Sequence, residues 1–282
     1  MNAAGQVAGG VLQAPERGAS MHSLFRDLAA SLRNPEFWAL SSWLDIVVRN
    51  RQSRLGIFWL MSPAIVYIWG MGGFFASMMH HPLSSFAAYV GIGYLVFRVA
   101  SSAVTESTGA FAAAGAFILD GHVRLTDFVL RVIATALFHF MLSLPVVALA
   151  LAIYPDPHWG GLLFSLFSLP VVILNALWIG VVFALVGARF PDLKHLVGNI
   201  FTFVFLLTPI IWHADTMPAG SLRGSLMRFN PFYHMVELVR APILGEAIDP
   251  STPLYLAVMT LGGWILAILA YRRYARYVPL WI

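Results

Sequence analysis

Long apolar runs, broken at short intervals by clustered Arg or by Pro and Gly, set the pattern of this chain. Gly56 to Met79 carries no charge, and at about 1.5 Å per residue it is long enough to cross a hydrocarbon core of roughly 30 Å. His80-His81-Pro82 closes that run. A second run extends from about Phe86 to Val104 and carries one charge, Arg98; a third covers about Val129 to Tyr154, with Arg131 at its start and Pro145 inside. Pro155-Asp156-Pro157 imposes a turn, because Pro cannot continue a helix. Gly160 to Gly187 is again uncharged, and further runs occupy about Leu196 to Trp212 and about Leu254 to Tyr271. The runs are continuous and do not alternate, so they predict six transmembrane helices and not a barrel. The expected fold is all-α and polytopic.

Three segments do not read as simple spans. Residues 1–34 are expected to be a mostly disordered N-terminus, since Met1 to about Ser20 is Gly, Ala and Gln with isolated charges. It lacks the basic start and apolar run of a signal peptide. Residues 35–55 predict an amphipathic helix, with Leu40, Trp43, Leu44 and Val47 on one stripe and Asp45 and Arg49 spaced to pair on the polar side. Its Trp residues and its end in Arg49, Arg51 and Arg54 suit a lipid headgroup layer. Between spans five and six, residues 213–252 contain Pro218, Pro231, Pro242 and Pro250 among apolar stretches. Asn230-Pro231 is a helix start, with Asn as cap and Pro in the first turn, and Gly245 is a stop. Phe232, Val236 and Val239 form a stripe opposite Glu237 and Arg240. Such a helix either dips back into the membrane or lies flat on its surface.

Composition changes the picture by exclusion. Hydrophobic residues make up 59% of the 282 and charged residues 11%, against roughly 25% charged in soluble domains, which rules out a soluble enzyme. The absence of Cys removes disulfides, Cys-ligated metals and Cys nucleophiles. The net charge of +4 is small and its carriers sit at the ends of apolar runs, so it encodes topology and not nucleic-acid binding. Twelve Lys and Arg fall on the side that holds both termini and three on the other, with Arg98 and Arg131 inside span ends. Both termini, including residues 276–282, are therefore expected in the cytoplasm.

Candidate chemistry is sparse. There is no P-loop, and Lys194 is the only Lys, so ATP binding by this route is excluded. No H-E-x-x-H or G-x-S-x-G occurs. His234 and Glu237 lack a third metal ligand nearby in sequence; His80 and His81 suit headgroup contact; His139 lies in a span with no acidic residue beside it and predicts a hydrogen bond to another helix. No metal or cofactor is expected on the chain. Aromatics are abundant, with Trp59, Tyr67, Trp69 and Phe74 in span one and Phe201, Phe205 and Trp212 in span five. From the residues alone these are lipid-facing belts or the lining of a path on which sugar rings slide without charge.

Four short motifs carry a resemblance. Arg49-x-Arg51-x-x-Arg54-Leu55-Gly56-x-x-Trp59, Arg189-Phe190-Pro191-Asp192-Leu193, Thr208-Pro209-Ile210-Ile211-Trp212, and Asn230-Pro231-Phe232 followed by Arg240-Ala241-Pro242-Ile243-Leu244-Gly245 occur in order. Together they resemble the ABC-2 type permeases, specifically the branch that exports O-antigen, capsule and teichoic acid, over about residues 45–275. The resemblance implies a 56–275 transmembrane domain that works as a homodimer with two copies of a separate P-loop ATPase. ATP and Mg would reside on that partner, and the cargo would be a lipid-linked glycan. It also implies a path lined by Trp59, Tyr67, Trp69, Phe74, Phe201, Phe205 and Trp212. ATPase coupling would fall to Asp45, Arg49, Arg51, Arg54, Asp120, His122 and Arg124, and an outer gate to Asn230, Pro231, Glu237 and Arg240. A drug or lipid permease of the same architecture, and an intramembrane glycan-modifying enzyme, are the alternatives.

Overall fold

The computed structural model describes residues 23–51, 54–121, 123–218 and 220–282. Among them all regular structure is helical. Five helices are long and apolar enough to cross a membrane: α3 (Gly56–Met78), α4 (beginning at Leu83 and regular to Thr105), α6 (Leu125–Ala152), α7 (Trp159–Arg189) and α11 (Ser251–Tyr274, continuing as short turns to Trp281). These match predicted spans one to four and six. Ahead of them come α1 (Leu24–Arg33) and α2 (Glu36–Asn50), and α5 (Gly115–Asp120) lies between α4 and α6.

Helix α4 is the hub. Every residue from Phe86 to Phe97 is buried, and it packs against α3, α6 and α7. Its small residues let neighbours approach closely, the usual basis of helix contact in a membrane: a Cβ on Gly91 would meet Ile68 of α3 at 3.3 Å and Val147 of α6 at 3.4 Å.

The fifth predicted span is corrected. Helix α8 covers Leu193–Leu207, 15 residues, and is therefore about 22 Å long, too short to cross a 30 Å core unaided. It stops where the expected span continued because Pro209 has no N–H and forces the preceding Thr208 into extended geometry (φ −82°, ψ 129°).

The segment that follows enters the protein. After α9 (Leu222–Phe229), α10 (Pro231–Leu244) is buried along nearly its whole length against α4, α7 and α11. Its partners progress steadily along α4: Phe232 meets Phe97, Val236 lies beside Gly93, and Arg240 covers Tyr89. Its C-terminal end reaches the ends of α6 and α7, where His158 N–H and Tyr154 O–H donate to the carbonyls of Ile243 and Leu244. This is a re-entrant helix and not one lying flat on the surface. Glu237 and Arg240, expected opposite the apolar stripe, are buried as the stripe is. Asn230 caps the helix as expected, its Oδ1 accepting from Phe232 N–H at 3.0 Å, and Gly245 ends it at φ +74°. Gly161 permits the tight approach of α7, because a Cβ there would lie 1.7 Å from the Pro242 carbonyl oxygen.

Order begins earlier than the sequence suggests. Residues 1–22 lie outside the described residues, but α1 precedes Pro35 and buries Leu24 and Leu28. Tertiary bonds hold it: Ser31 and Thr126 hydroxyls lie 2.7 Å apart, and Tyr271 O–H donates to Asp27 at 3.0 Å. Helix α2 packs Ile46 against the protein and leaves Leu40, Trp43 and Leu44 exposed, as an interfacial helix would. Asp45 does not pair with Arg49. It accepts from Arg131 Nε at 2.8 Å and also from Nη2, which ties α2 to α6.

Candidate functional site

Helix α3 is not wound uniformly. It is 3-10 over Gly56–Met61, α over Ser62–Ile65, π over Val66–Met71 and α again over Gly72–Met78. A π turn inside a helix is rare and often marks a functional position. This one carries Tyr67 and Trp69, and it presents them to different neighbours.

Tyr67 faces a groove of about 330 Å³ floored by α4 and walled by α3 and α8. The lining is Tyr67, Tyr94, Phe97, Arg98, Ser101, Gly198, Phe201, Thr202 and Phe205. Tyr67 stacks on Tyr94 at 4.6 Å between centroids and meets the Phe205 ring edge-on at 5.4 Å. Phe97 contacts Phe205 at 5.4 Å, and Phe201 abuts Phe232 of α10 at 5.2 Å. Such a surface offers ring faces and edges with few fixed charges, suited to sliding contact with planar or ring-shaped apolar surface.

Of the seven predicted lining residues, Tyr67, Phe201 and Phe205 meet in this groove. Trp69 turns to α6 and lines a hollow with Met61, Ile65, Pro145 and Leu149. Trp59 is 57% and Phe74 63% exposed, outside the groove. Trp212 lies beyond the end of α8, its indole N–H donating to the Leu206 carbonyl at 3.1 Å. Sequence reasoning missed the α4 contribution of Tyr94, Phe97 and Arg98. A signal was available: Arg98 is the sole charge in its apolar run, one helical turn from Tyr94.

Towards the end rich in Arg, a second hollow of about 590 Å³ opens, lined among others by Asp45, Arg49, Glu106, Arg131, His139 and Lys194. Gly198 lines both hollows, and Arg98 Nη2 touches His139 Nδ1 at 3.2 Å between them. Of the coupling candidates, Asp45 and Arg49 line this second hollow. Arg51 and Arg54 are exposed at the α2–α3 turn, and Asp120 and Arg124 are exposed at the ends of α5 and α6. His122 lies outside the described residues.

The gate candidates cluster at the opposite end. Asn230 Nδ2 donates to Thr208 Oγ1 at 2.8 Å, with Pro231 opening α10 beside it. Arg240 pairs with Glu237 at 3.1 Å, donates to the Pro209 carbonyl, and holds its guanidinium 3.8 Å over the Tyr89 ring. Beside it the His213 ring stands 4.1 Å from Tyr89 and 5.0 Å from His81. Burial, reinforced by His81 and Arg240, lowers the His213 pKa. His234, weighed above as a metal ligand, has both nitrogens engaged, by Thr252 Oγ1 and the Arg228 carbonyl.

No family model matches the chain. It is 27% identical over 217 residues to the O-antigen export system permease protein RfbA of Myxococcus xanthus, covering 74% of this chain and 81% of that protein. It is 25% identical over 235 residues to the polysialic acid transport protein KpsM of Escherichia coli, covering 81% and 89%. A Klebsiella pneumoniae RfbA aligns at 20% over 231 residues, covering 79% and 85%. The chain is a relative of the ABC-2 type export permeases. For a permease, a ring-lined groove along three helices is the feature to weigh first, and the relatives' names describe an export permease and a transport protein.

Proposed function

We propose that this chain is the permease subunit of an ATP-driven exporter of lipid-linked polysaccharide. Two copies pair, each engages a cytoplasmic P-loop ATPase, and ATP and Mg act there. The relatives' export roles support the cargo class, and the aromatic groove carries the reading: Tyr67, Tyr94, Phe97, Phe201 and Phe205 form a surface that sugar rings can stack on and leave. The excess of Lys and Arg on the side of both termini supports a cytoplasmic location for them in the inner membrane. On that topology coupling falls to α2, α5 and the exposed Asp120 and Arg124. Arg240, Glu237 and Asn230 hold the re-entrant helix at the outer end of the path.

The test is reconstitution with the ATPase subunit in liposomes loaded with lipid-linked glycan. Export should require both subunits and ATP; transport by this chain alone would contradict the reading. A drug or lipid cargo would instead leave glycan export absent while a small amphiphile moves under the same conditions.

A further inference from the structure

Arg98 is costly where it stands. It lies 15 residues into α4 from Leu83, in the part of the helix that must cross hydrocarbon, where charged side chains are rare and mark function. An Arg within reach of the basic end usually directs its head towards water. Arg98 does the reverse: Nη1 donates at 2.8 Å to the hydroxyl of Tyr94, one turn further from that end. Nη2 donates to His139 Nδ1, since a guanidinium has no acceptor to offer, so His139 keeps its proton on Nε2. These bonds fix the guanidinium in the groove wall, half-buried, and use two of its five N–H groups. Among the described residues no carboxylate lies within ion-pair distance of it. The other groove residues are uncharged, while the adjoining hollow is lined by Arg49, Lys194 and Glu106 and by the paired Arg131 and Asp45.

From this arrangement we infer that Arg98, positioned by Tyr94 and His139, is a binding site for the phosphate group of an amphiphilic ligand whose apolar or ring-bearing body lies along the aromatic groove. A planar guanidinium with unused N–H groups matches two oxygens of a phosphate at once, and in an apolar wall that pairing is strong and selective. Tyr67, Tyr94 and Phe205 supply the ring surface for the body of the same ligand. The inference rests on the groove being the path, but it concerns ligand chemistry at rest and needs no nucleotide hydrolysis.

The competing structural role is a clamp: Arg98 would only tie α4 to α6 through His139. Equilibrium binding to the permease–ATPase complex in nanodiscs separates the two. The probes are a polyprenyl diphosphate, the matching polyprenol and inorganic pyrophosphate, and the variants are Arg98→Gln and Arg98→Lys. We expect the wild-type complex to prefer the diphosphate over the polyprenol by roughly tenfold or more, as charge-assisted hydrogen bonds provide. Arg98→Gln should abolish that preference and Arg98→Lys should retain part of it, with melting temperature and ATPase association near wild type for the Lys variant. Competition by inorganic pyrophosphate identifies the headgroup as sufficient; failure to compete identifies the lipid-borne phosphate as the ligand. An equal preference in wild type and Arg98→Gln overturns the inference, as does loss of melting temperature in Arg98→Gln with the preference intact. If the cargo reading failed instead, glycan export would be absent while the Arg98-dependent preference persisted.

Discussion

Arg240 packs against α4 and Arg98 belongs to it, and their surroundings differ in kind. Arg240, on the re-entrant helix, is 1% exposed and closed in by Glu237, the Pro209 carbonyl and the Tyr89 ring. Arg98 has only neutral partners and opens on a groove. A buried charge that is paired and hydrogen-bonded is a structural fixture, while one left without an acid beside a cavity is available to a ligand. The end holding Arg240 is therefore built to fix the fold, and on the proposed function the end holding Arg98 is the one that meets the cargo.

The largest expected effect lies on the closed side. Arg240→Ala leaves Glu237 buried without its counter-charge, a loss of about 3–5 kcal/mol, and should abolish accumulation of folded protein as read by detergent-solubilised yield and melting temperature. Replacing both partners together, Arg240→Met with Glu237→Leu, should recover much of that loss, because two neutral groups need no pairing. Gly161→Val should be comparably damaging, since its side chain would enter the α10 backbone at Pro242.

On the open side the effects should fall on transport instead. Tyr67→Ala combined with Phe205→Ala removes ring surface from the groove and should lower glycan export on the order of tenfold, with ATPase association unchanged by co-purification. Trp69→Ala sharpens the contrast within one turn of α3. Because Trp69 faces α6, export per folded molecule should remain at the wild-type level.

The smallest expected effect is a pH slope. The His213 pKa is lowered in the folded protein, by burial first and then by His81 and Arg240, from an ordinary value of 6.5. The unfolded chain thus takes up its proton first as pH falls, so stability should decline below about 6.5 and be fully present above it. His213→Phe should reduce, without removing, the difference in melting temperature between pH 8 and pH 5, because the His234 pKa is lowered by burial as well. Asp249 does not interfere. Burial raises its pKa, but hydrogen bonds from Ser251 and the Arg228 guanidinium outweigh this and hold it at about 2, so it stays charged across that window.

Features governed by local sequence were legible before the structure. Apolar runs located five spans, and Asn230-Pro231 with Gly245 bounded α10, because capping and φ preferences act within a few residues. The end of α8 was only partly legible: Pro209 ends that helix at Thr208, whereas Pro145, Pro170 and Pro242 sit inside continuous helices, so a Pro by itself does not locate a stop. The divergence of Tyr67 and Trp69 was legible, since residues two apart on a helix do not share a face. The rest was out of reach for a physical reason. Asp45 meets Arg131 across 86 residues and Arg98 meets His139 across 41, and no local pattern encodes such pairings. Helix α1 buries Leu24, Leu28 and Ser31 against partners distant in sequence and is tied there by bonds to Thr126 and Tyr271.

Site-specific photocrosslinking in the assembled exporter tests the central claim most directly, with a photoreactive residue placed in turn at Phe205, Phe201 and Trp69. During ATP-driven export, glycan should be captured from Phe205 and Phe201 and not from Trp69, and capture should cease when the ATPase subunit is omitted. Capture from Trp69 with none from the groove, or equal capture without the ATPase, would contradict the account.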